Sequence, residues 1–420
     1  MKIMKKYEWA IIGGGIAGII LSEILVREGH SVVLIEKNPK LALETTREFH
    51  EWMHTGSLYT IIPDKLKTLK FLLGAIDDLI EYYSCYERMN LIPTMAGMKI
   101  NSQKEAWFEP NYIDFKFRIK NRKLLLPWII VAARSIFLIE KIHKHDWLRR
   151  RAGETEPFKK NRIRRILSIA SEILKHRQKF KTFTTPDFTL NSRALLRDIL
   201  TTAIENGLEL SLSNPVRRIE DAPDGKKNII TDHNNILAEK VAVCAGSGTN
   251  IFSTAKITTS YAPIAVVAGL PPTAKSFVAL DYYPTKCINL LTRKNGYGLV
   301  GGVSFKNQSK CDAYLDSVVS QQKAYFPEIK EIDRYIGVKS EITFKNEPRS
   351  YLYHIVEIGN NIWTIVPGKF SLAFSLAPEF YRRVYYKNPR KFFPTTIENP
   401  KFAGMVADTV WFDSMKLQQV

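Results

Sequence analysis

The chain has 420 residues, of which 61 are Lys or Arg and 42 are Asp or Glu, for a formal net charge of +19. An apolar fraction of 45% with 25% charged residues excludes a disordered or collagen-like chain, and the length gives room for several domains and a large buried core. Cys85, Cys244, Cys287 and Cys311 stand without Cys-x-x-Cys spacing, which argues against a disulfide framework or a cysteine-rich zinc site and for a reducing, cytoplasmic setting.

Met1–Tyr7 is basic, but the apolar stretch after it carries Gly13, Gly14 and Gly15 and does not read as a secretory signal. Tyr7–Ile12 (YEWAII) predicts a buried parallel strand. Gly13-Gly14-Gly15-Ile16-Ala17-Gly18 follows at once. An apolar helix over Ile16–Val26, Gly29 and a second strand over Ser31–Ile35 come next, ending in Glu36. This is G-x-G-x-x-G in the strand–helix–strand setting that gives it meaning. Gly13 permits the tight turn, Gly15 lets backbone approach a pyrophosphate, and Gly18 lets helix and strand pack closely. The helix start offers free N–H groups to phosphate. Glu36, 23 residues after Gly13, is placed to accept from ribose hydroxyls. A Gly-rich turn in an unrelated fold would leave Glu36 unexplained. A Glu here, so early in the chain, points to FAD rather than NAD(P). The candidate cofactor contacts of this unit are Gly13, Gly15, Ile16, Ala17, Gly18, Glu36 and Lys37.

Thr45, Thr46 and His50 precede the segment His54-Thr55-Gly56-Ser57-Leu58-Tyr59. Residues 61–181 then read as largely helical, with helices predicted over 64–83, 128–145 and 161–180. The longest apolar run, Leu124–Ile139, contains Pro127 and Arg134 and falls short of the roughly 20 residues needed to span a bilayer. Between Lys141 and Lys181 there are 14 Lys or Arg against 4 Asp or Glu, a net of +10, while the other 379 residues carry 47 − 38 = +9. Arg149-Arg150-Arg151 and Arg162, Arg164 and Arg165 lie among Trp147, Phe158, Phe180 and Phe183. Such a segment faces nucleic acid, an anionic bilayer or an anionic substrate, or is a solvated helical face. The apolar stretch from Trp128 followed by this basic one suits a helix lying in a membrane interface, so 128–181 is the candidate surface for peripheral attachment to an anionic inner membrane face. Nucleic acid is the less favoured partner.

Five later pieces complete the pattern: Asp187–Leu195 (DFTLNSRAL), Lys240–Gly248 (KVAVCAGSG), Tyr297–Phe305 (YGLVGGVSF), Pro348-Arg349-Ser350-Tyr351 and Trp363–Ala373 (WTIVPGKFSLA). With the N-terminal unit and the H-x-G-x-x-Y pattern at His54, they resemble the D-amino-acid-oxidase superfamily of FAD oxidoreductases. Within it they are most similar to the FAD-dependent glycerol-3-phosphate dehydrogenases. The resemblance implies an α/β fold: a discontinuous Rossmann-type FAD-binding domain over 1–60, 182–255 and 350–390, and an antiparallel-sheet substrate domain over 256–349. A helical, basic insertion over 61–181 and a C-terminal tail over 391–420 complete the expected organisation. The chain departs from the family at three points. Leu58 stands where the family has an Arg, Glu51 where it has a Lys, and Pro367-Gly368-Lys369 where it has Gly-Gly-Lys. The resemblance is not expected to extend to the extra C-terminal helical domain of many members.

The resemblance extends the FAD contacts to Thr45, Thr46, Ala245, Gly246, Gly368, Lys369 and Phe370. A helix start and a Lys at the flavin's pyrimidine edge would stabilise negative charge on the reduced ring; the plainer reading is a helix-capping glycine with a solvated lysine. His54 is the candidate base, with His50 as rival, since a His suits proton abstraction near neutral pH; the alternatives for His54 are packing on the flavin or bonding to backbone, and covalent attachment to FAD. Arg349, followed by Tyr351 and Tyr353, is the candidate anchor for a carboxylate or phosphate, with Arg293 second; a surface ion pair is the plainer fate of an Arg. Tyr59 of the H-x-G-x-x-Y pattern is a further catalytic candidate. No metal-ligand spacing appears. The expected activity is an FAD-dependent oxidoreductase taking hydride from the CH–OH group of a small anionic, phosphorylated or carboxylated substrate. An oxidase of a CH–NH bond is the alternative, and a non-catalytic flavin protein that binds membrane or nucleic acid the third reading. The electron acceptor, quinone or oxygen, stays open.

Overall fold

The first strand, Lys6–Ile12, is buried over its last four residues, which sets it at the centre of a sheet. In the computed structural model, which describes residues 6–61, 66–94, 97–103, 105–118, 125–141, 162–175, 181–252, 257–281, 287–301, 303–342 and 352–418, it pairs in parallel with Asn235–Val243 on one side and Val32–Ile35 on the other. Ile362–Val366 and Glu209–Ser211 extend the parallel run outward. Antiparallel His354–Gly359 closes one edge, and the hairpin Val216–Asp221/Lys227–Thr231 joins Asn235–Val243. The helix Ile16–Arg27 is apolar nearly all round and every one of its residues is buried. It is covered by Ser192–Glu205 and Ala373–Tyr385. Its two charged groups survive burial as a pair: Arg27 donates to Glu23 at 2.7 Å and to the Tyr82 carbonyl at 2.8 Å.

A second eight-stranded sheet runs in the order Lys330–Ile342, Ile257–Ala268, Gly298–Gly301, Cys287–Thr292, Phe277–Asp281, Phe108–Arg118, Lys181–Leu190, Trp52–Met53. Its pairs are antiparallel except Phe277–Asp281 with Phe108–Arg118. Period-two alternation gives it two apolar faces. Ala265 and Val267 pack with Leu315, Val318 and Val319 of the helix Cys311–Lys323. Ile264 and Val266 share a core with Ile129, Ala133 and Ile136 of the helix Leu125–Lys141 and with Ile169 and Ile173 of the helix Arg162–Lys175.

Two boundaries differ from the sequence reading. The segment 61–181 is not only helical: it holds Lys67–Tyr83, Leu125–Lys141 and Arg162–Lys175, but also the hairpin Leu91–Thr94/Gly97–Ile100 and the strand Phe108–Arg118. That strand is concealed because its register shifts twice, around Tyr112, which breaks the alternation that marks a strand. The second sheet therefore draws strands from well outside 256–349. The described part of the expected C-terminal tail, 391–418, packs on the rest of the chain: Val406 bridges Leu41, and Trp411 donates to Glu51 at 2.8 Å. Among the described residues no helix is long and apolar enough to cross a membrane.

Candidate active site

The C-terminal ends of the parallel strands and one face of the second sheet enclose a common cavity. Ile12, Ile35, Cys244 and Val366 line it from the first sheet, and Ala262–Ile264 and Gly337–Ser340 line it from the second. Opening at the carboxyl ends of parallel strands is the expected position for a ligand in such a fold.

At one end the wall is almost all backbone. Gly13 has φ +107°, and a Cβ there would sit 2.6 Å from the Cys244 carbonyl oxygen. A Cβ on Gly18 would sit 1.9 Å from the Gly13 carbonyl oxygen, so helix and turn touch only because residue 18 is glycine. Gly18 thus acts from behind, while Gly13, Gly15, Ile16 and Ala17 face the cavity. Glu36, at the end of the second strand, accepts from the Gly14 N–H at 2.7 Å and from the Asn38 N–H at 2.9 Å. Thr46 Oγ1 accepts from the Ile16 N–H at 3.1 Å, and Thr45, also on the cavity wall, donates to the Val338 carbonyl at 2.6 Å, tying this loop to the second sheet. Lys37 lines the cavity with its ammonium on Glu44 at 2.5 Å. Ala245 and Gly246 form the facing wall.

At the other end the wall is made of side chains. His50 and His54 stand with ring centroids 6.3 Å apart, and Trp52 lies against His54 at 4.2 Å. Asp187, fully buried, accepts from Trp52 Nε1 at 3.0 Å, from the Thr55 N–H at 3.1 Å, from the Thr55 hydroxyl and from Ser57 Oγ at 2.9 Å. Its second oxygen lies 3.8 Å from His54 Nδ1, beyond a direct hydrogen bond but near enough for its charge to act on the ring. Burial alone would raise the Asp187 carboxyl, but His54, Thr55 and Ser57 hold it below its ordinary value. Burial pushes His54 down to about 4, with Lys369 and Lys339 adding to the shift and Asp187 opposing it. His50 is pushed well below its ordinary value, by burial first and then by Lys339. Burial thus favours the neutral form of both imidazoles.

Gly368 (φ +66°) turns the chain into Lys369, and a Cβ there would meet the Leu352 carbonyl at 2.4 Å. Phe370 opens the short turn Phe370–Leu372 and stacks on Phe49 at 4.3 Å. Lys369 lies 4.8 Å from the Tyr59 ring centroid. Lys339, on the second sheet, reaches the same end, 3.3 Å from Ser304 Oγ.

Two of the expected catalytic residues stand behind the wall. Tyr59 is buried and does not line the cavity. Arg293 is buried too and does not line the cavity: it donates to the His50 carbonyl at 2.6 Å and lies 3.5 Å from Glu51 and 3.4 Å from Glu109. It clamps the His50 loop, because a buried guanidinium must find its acceptors inside the protein. Glu51 also accepts from the Ser192 N–H at 2.8 Å, so the residue standing where the family has a Lys is a structural hub. Arg349 and Tyr351 lie outside the described residues. Sequence reading did not find Lys339, Ser304 or Asp187 in its role. For Lys339 the available signal was a lone cation between Val338 and Ser340 in a strand.

The residues present fit FAD. A side-chain-free turn at a helix start suits the pyrophosphate, Glu36 the ribose, and Gly368, Lys369 and Phe370 the opposite end. The fold agrees with solved flavoenzymes. L-α-glycerophosphate oxidase from Mycoplasma pneumoniae, with FAD bound, superposes with a TM-score of 0.64 at 14% identity, covering 96% of this chain and 99% of that one. L-proline dehydrogenase from P. horikoshii gives 0.62 at 12%, covering 92% and 95%. Glycine oxidase from Geobacillus kaustophilus gives 0.59 at 13%, covering 96% and 98%. At these identities the likeness is one of fold. A search of curated proteins finds no match. A model of the FAD dependent oxidoreductase family, DAO, matches residues 8–349, which contain both the glycine turn and the histidine end, and the chain belongs to that family of FAD-dependent enzymes.

Proposed function

We propose that this enzyme oxidises the CH–OH group of a small molecule bearing a phosphate or carboxylate. The observation that carries this reading is the neutral, buried His54 held beside Asp187 in a cavity that Lys339 and Lys369 also line. An alcohol holds its proton tightly, so its oxidation needs an acceptor in place. An amine that enters unprotonated needs none. Bound FAD supplies the acceptor for the hydride. His54 takes the hydroxyl proton, and the Asp187 carboxylate stabilises the imidazolium that results. The Trp52, Thr55 and Ser57 donors keep Asp187 ionised and fixed, so the ring needs no rearrangement during the step. Lys339 and Lys369 supply the positive field that draws an anionic substrate. Arg349 is proposed to complete the anion anchor, replacing the cation lost at Leu58.

The test is an anaerobic screen of the purified holoenzyme for loss of the flavin's visible absorbance. Hydroxy acids, polyol phosphates and sugar phosphates form one arm, amino acids and amines the other. Bleaching by a member of the first arm is expected. Bleaching by amines alone would overturn the reading.

A further inference from the structure

The helix Arg162–Lys175 has two apolar faces and uses one. Ile169 and Ile173 are buried against the helix Leu125–Lys141. Ile163, Leu167 and Leu174 are 74%, 62% and 40% exposed. With 3.6 residues per turn these three fall within about 40° of one another, roughly a third of a turn from the buried face. They form one stripe rather than three scattered residues. On its outer flank the stripe is bordered by Arg164 and Lys175, both exposed. Ile130 on the neighbouring helix is also exposed, at 57%.

An apolar stripe edged by cations fits an interface that is apolar within and anionic at its surface. The sequence around it has the same sign: residues 141–181 carry 14 Lys or Arg against 4 Asp or Glu. A second copy of this chain would bring like charge to the contact, and nucleic acid offers no apolar layer for three aliphatic side chains. We infer that this helix docks the enzyme on an anionic lipid surface, lying in the interface with Ile163, Leu167 and Leu174 inserted and Arg164 and Lys175 among the headgroups. A 14-residue helix is about 21 Å long at 1.5 Å per residue, short of a bilayer core, so it lies in the surface. The docked pair of helices is joined to the turn after His54, through the Thr60 and Ser135 hydroxyls. The lipid surface and the histidine end of the cavity are thus linked by packed structure.

The experiment is flotation of the full chain with vesicles of phosphatidylcholine alone and of phosphatidylcholine with about one third phosphatidylglycerol, over a salt series. Wild type should float with the anionic vesicles only, and less so as salt rises. The double variant I163E/L167E should bind at least about tenfold more weakly, since two aliphatic side chains no longer leave water. Phe392→Glu, at a residue 81% exposed on another part of the surface, should bind like wild type. Circular dichroism would confirm that each variant is folded. No flotation of wild type, or flotation of I163E/L167E equal to it, would overturn the inference. So would binding of RNA that exceeds vesicle binding and is unchanged in I163E/L167E, which would assign the charge to nucleic acid.

Discussion

At the glycine end of the cavity the chain presents backbone, and at the histidine end it presents side chains held in place by other side chains. The first works by leaving atoms out. No Cβ fits at Gly18, where the Gly13 carbonyl would lie 1.9 Å away, or at Gly13, where the Cys244 carbonyl would lie 2.6 Å away. The second works by adding buried charge and satisfying it. Asp187 holds Trp52, Thr55 and Ser57, while Arg293 and Glu51 hold the loop of His50. A cofactor common to many enzymes needs a rigid, generic cradle. A particular substrate needs groups whose protonation and direction can be tuned.

The contrast sets an order of effects. Gly18→Val should be the most damaging change, because helix and turn can no longer meet. The purified protein is expected to carry no flavin absorbance, with FAD affinity down by more than about a hundredfold. A yellow Gly18→Val protein would break the backbone half of the comparison. His54→Ala should keep the flavin spectrum while slowing its reduction by substrate about 10²- to 10⁴-fold. Equal reduction would show that the proton leaves by another route.

Asp187→Asn should come next, with reduction slowed about ten- to a hundredfold and FAD retained. The pH profile separates positioning from mere support. His54 is protonated, and cannot accept, below its pKa. Wild-type reduction should therefore hold steady from pH 8 downward and fall as pH nears about 4. Asp187 is what favours the protonated ring, so its removal should move that acid limb further down. A slower enzyme with an unmoved limb would leave Asp187 only a structural role. The smallest effect is expected for Lys339→Met, which should raise KM for an anionic substrate about tenfold with kcat nearly unchanged. A fall in kcat alone would move Lys339 from substrate attraction to the chemical step.

The same contrast explains what could be read from sequence. The glycine turn, its helix and Glu36 lie within 24 consecutive residues, 13 to 36, so spacing alone exposes them. His54 was found through a local pattern that resembles a family. Its partners are remote: Thr55 and Asp187 are 132 residues apart, and Arg293 and His50 are 243 apart. No periodicity in the strand Cys287–Thr292 tells whether the Arg that follows it will face a ligand or a buried carboxylate. Arg293 was therefore legible as a cation but not as a clamp. The strand Phe108–Arg118 escaped for a local reason, since its shifts around Tyr112 spoil the alternation.

The contact between Trp411 and Glu51 has a consequence in time. Glu51 joins the histidine loop to Ser192 and to Trp411, and Val406 bridges Leu41 beside the glycine turn. A chain emerging from the ribosome completes its first strand–helix–strand unit almost at once. The wall around His50 also needs Trp411, which is made 360 residues after Glu51. Synthesis thus imposes an order of its own: the glycine cradle can form long before the wall around His50 is complete.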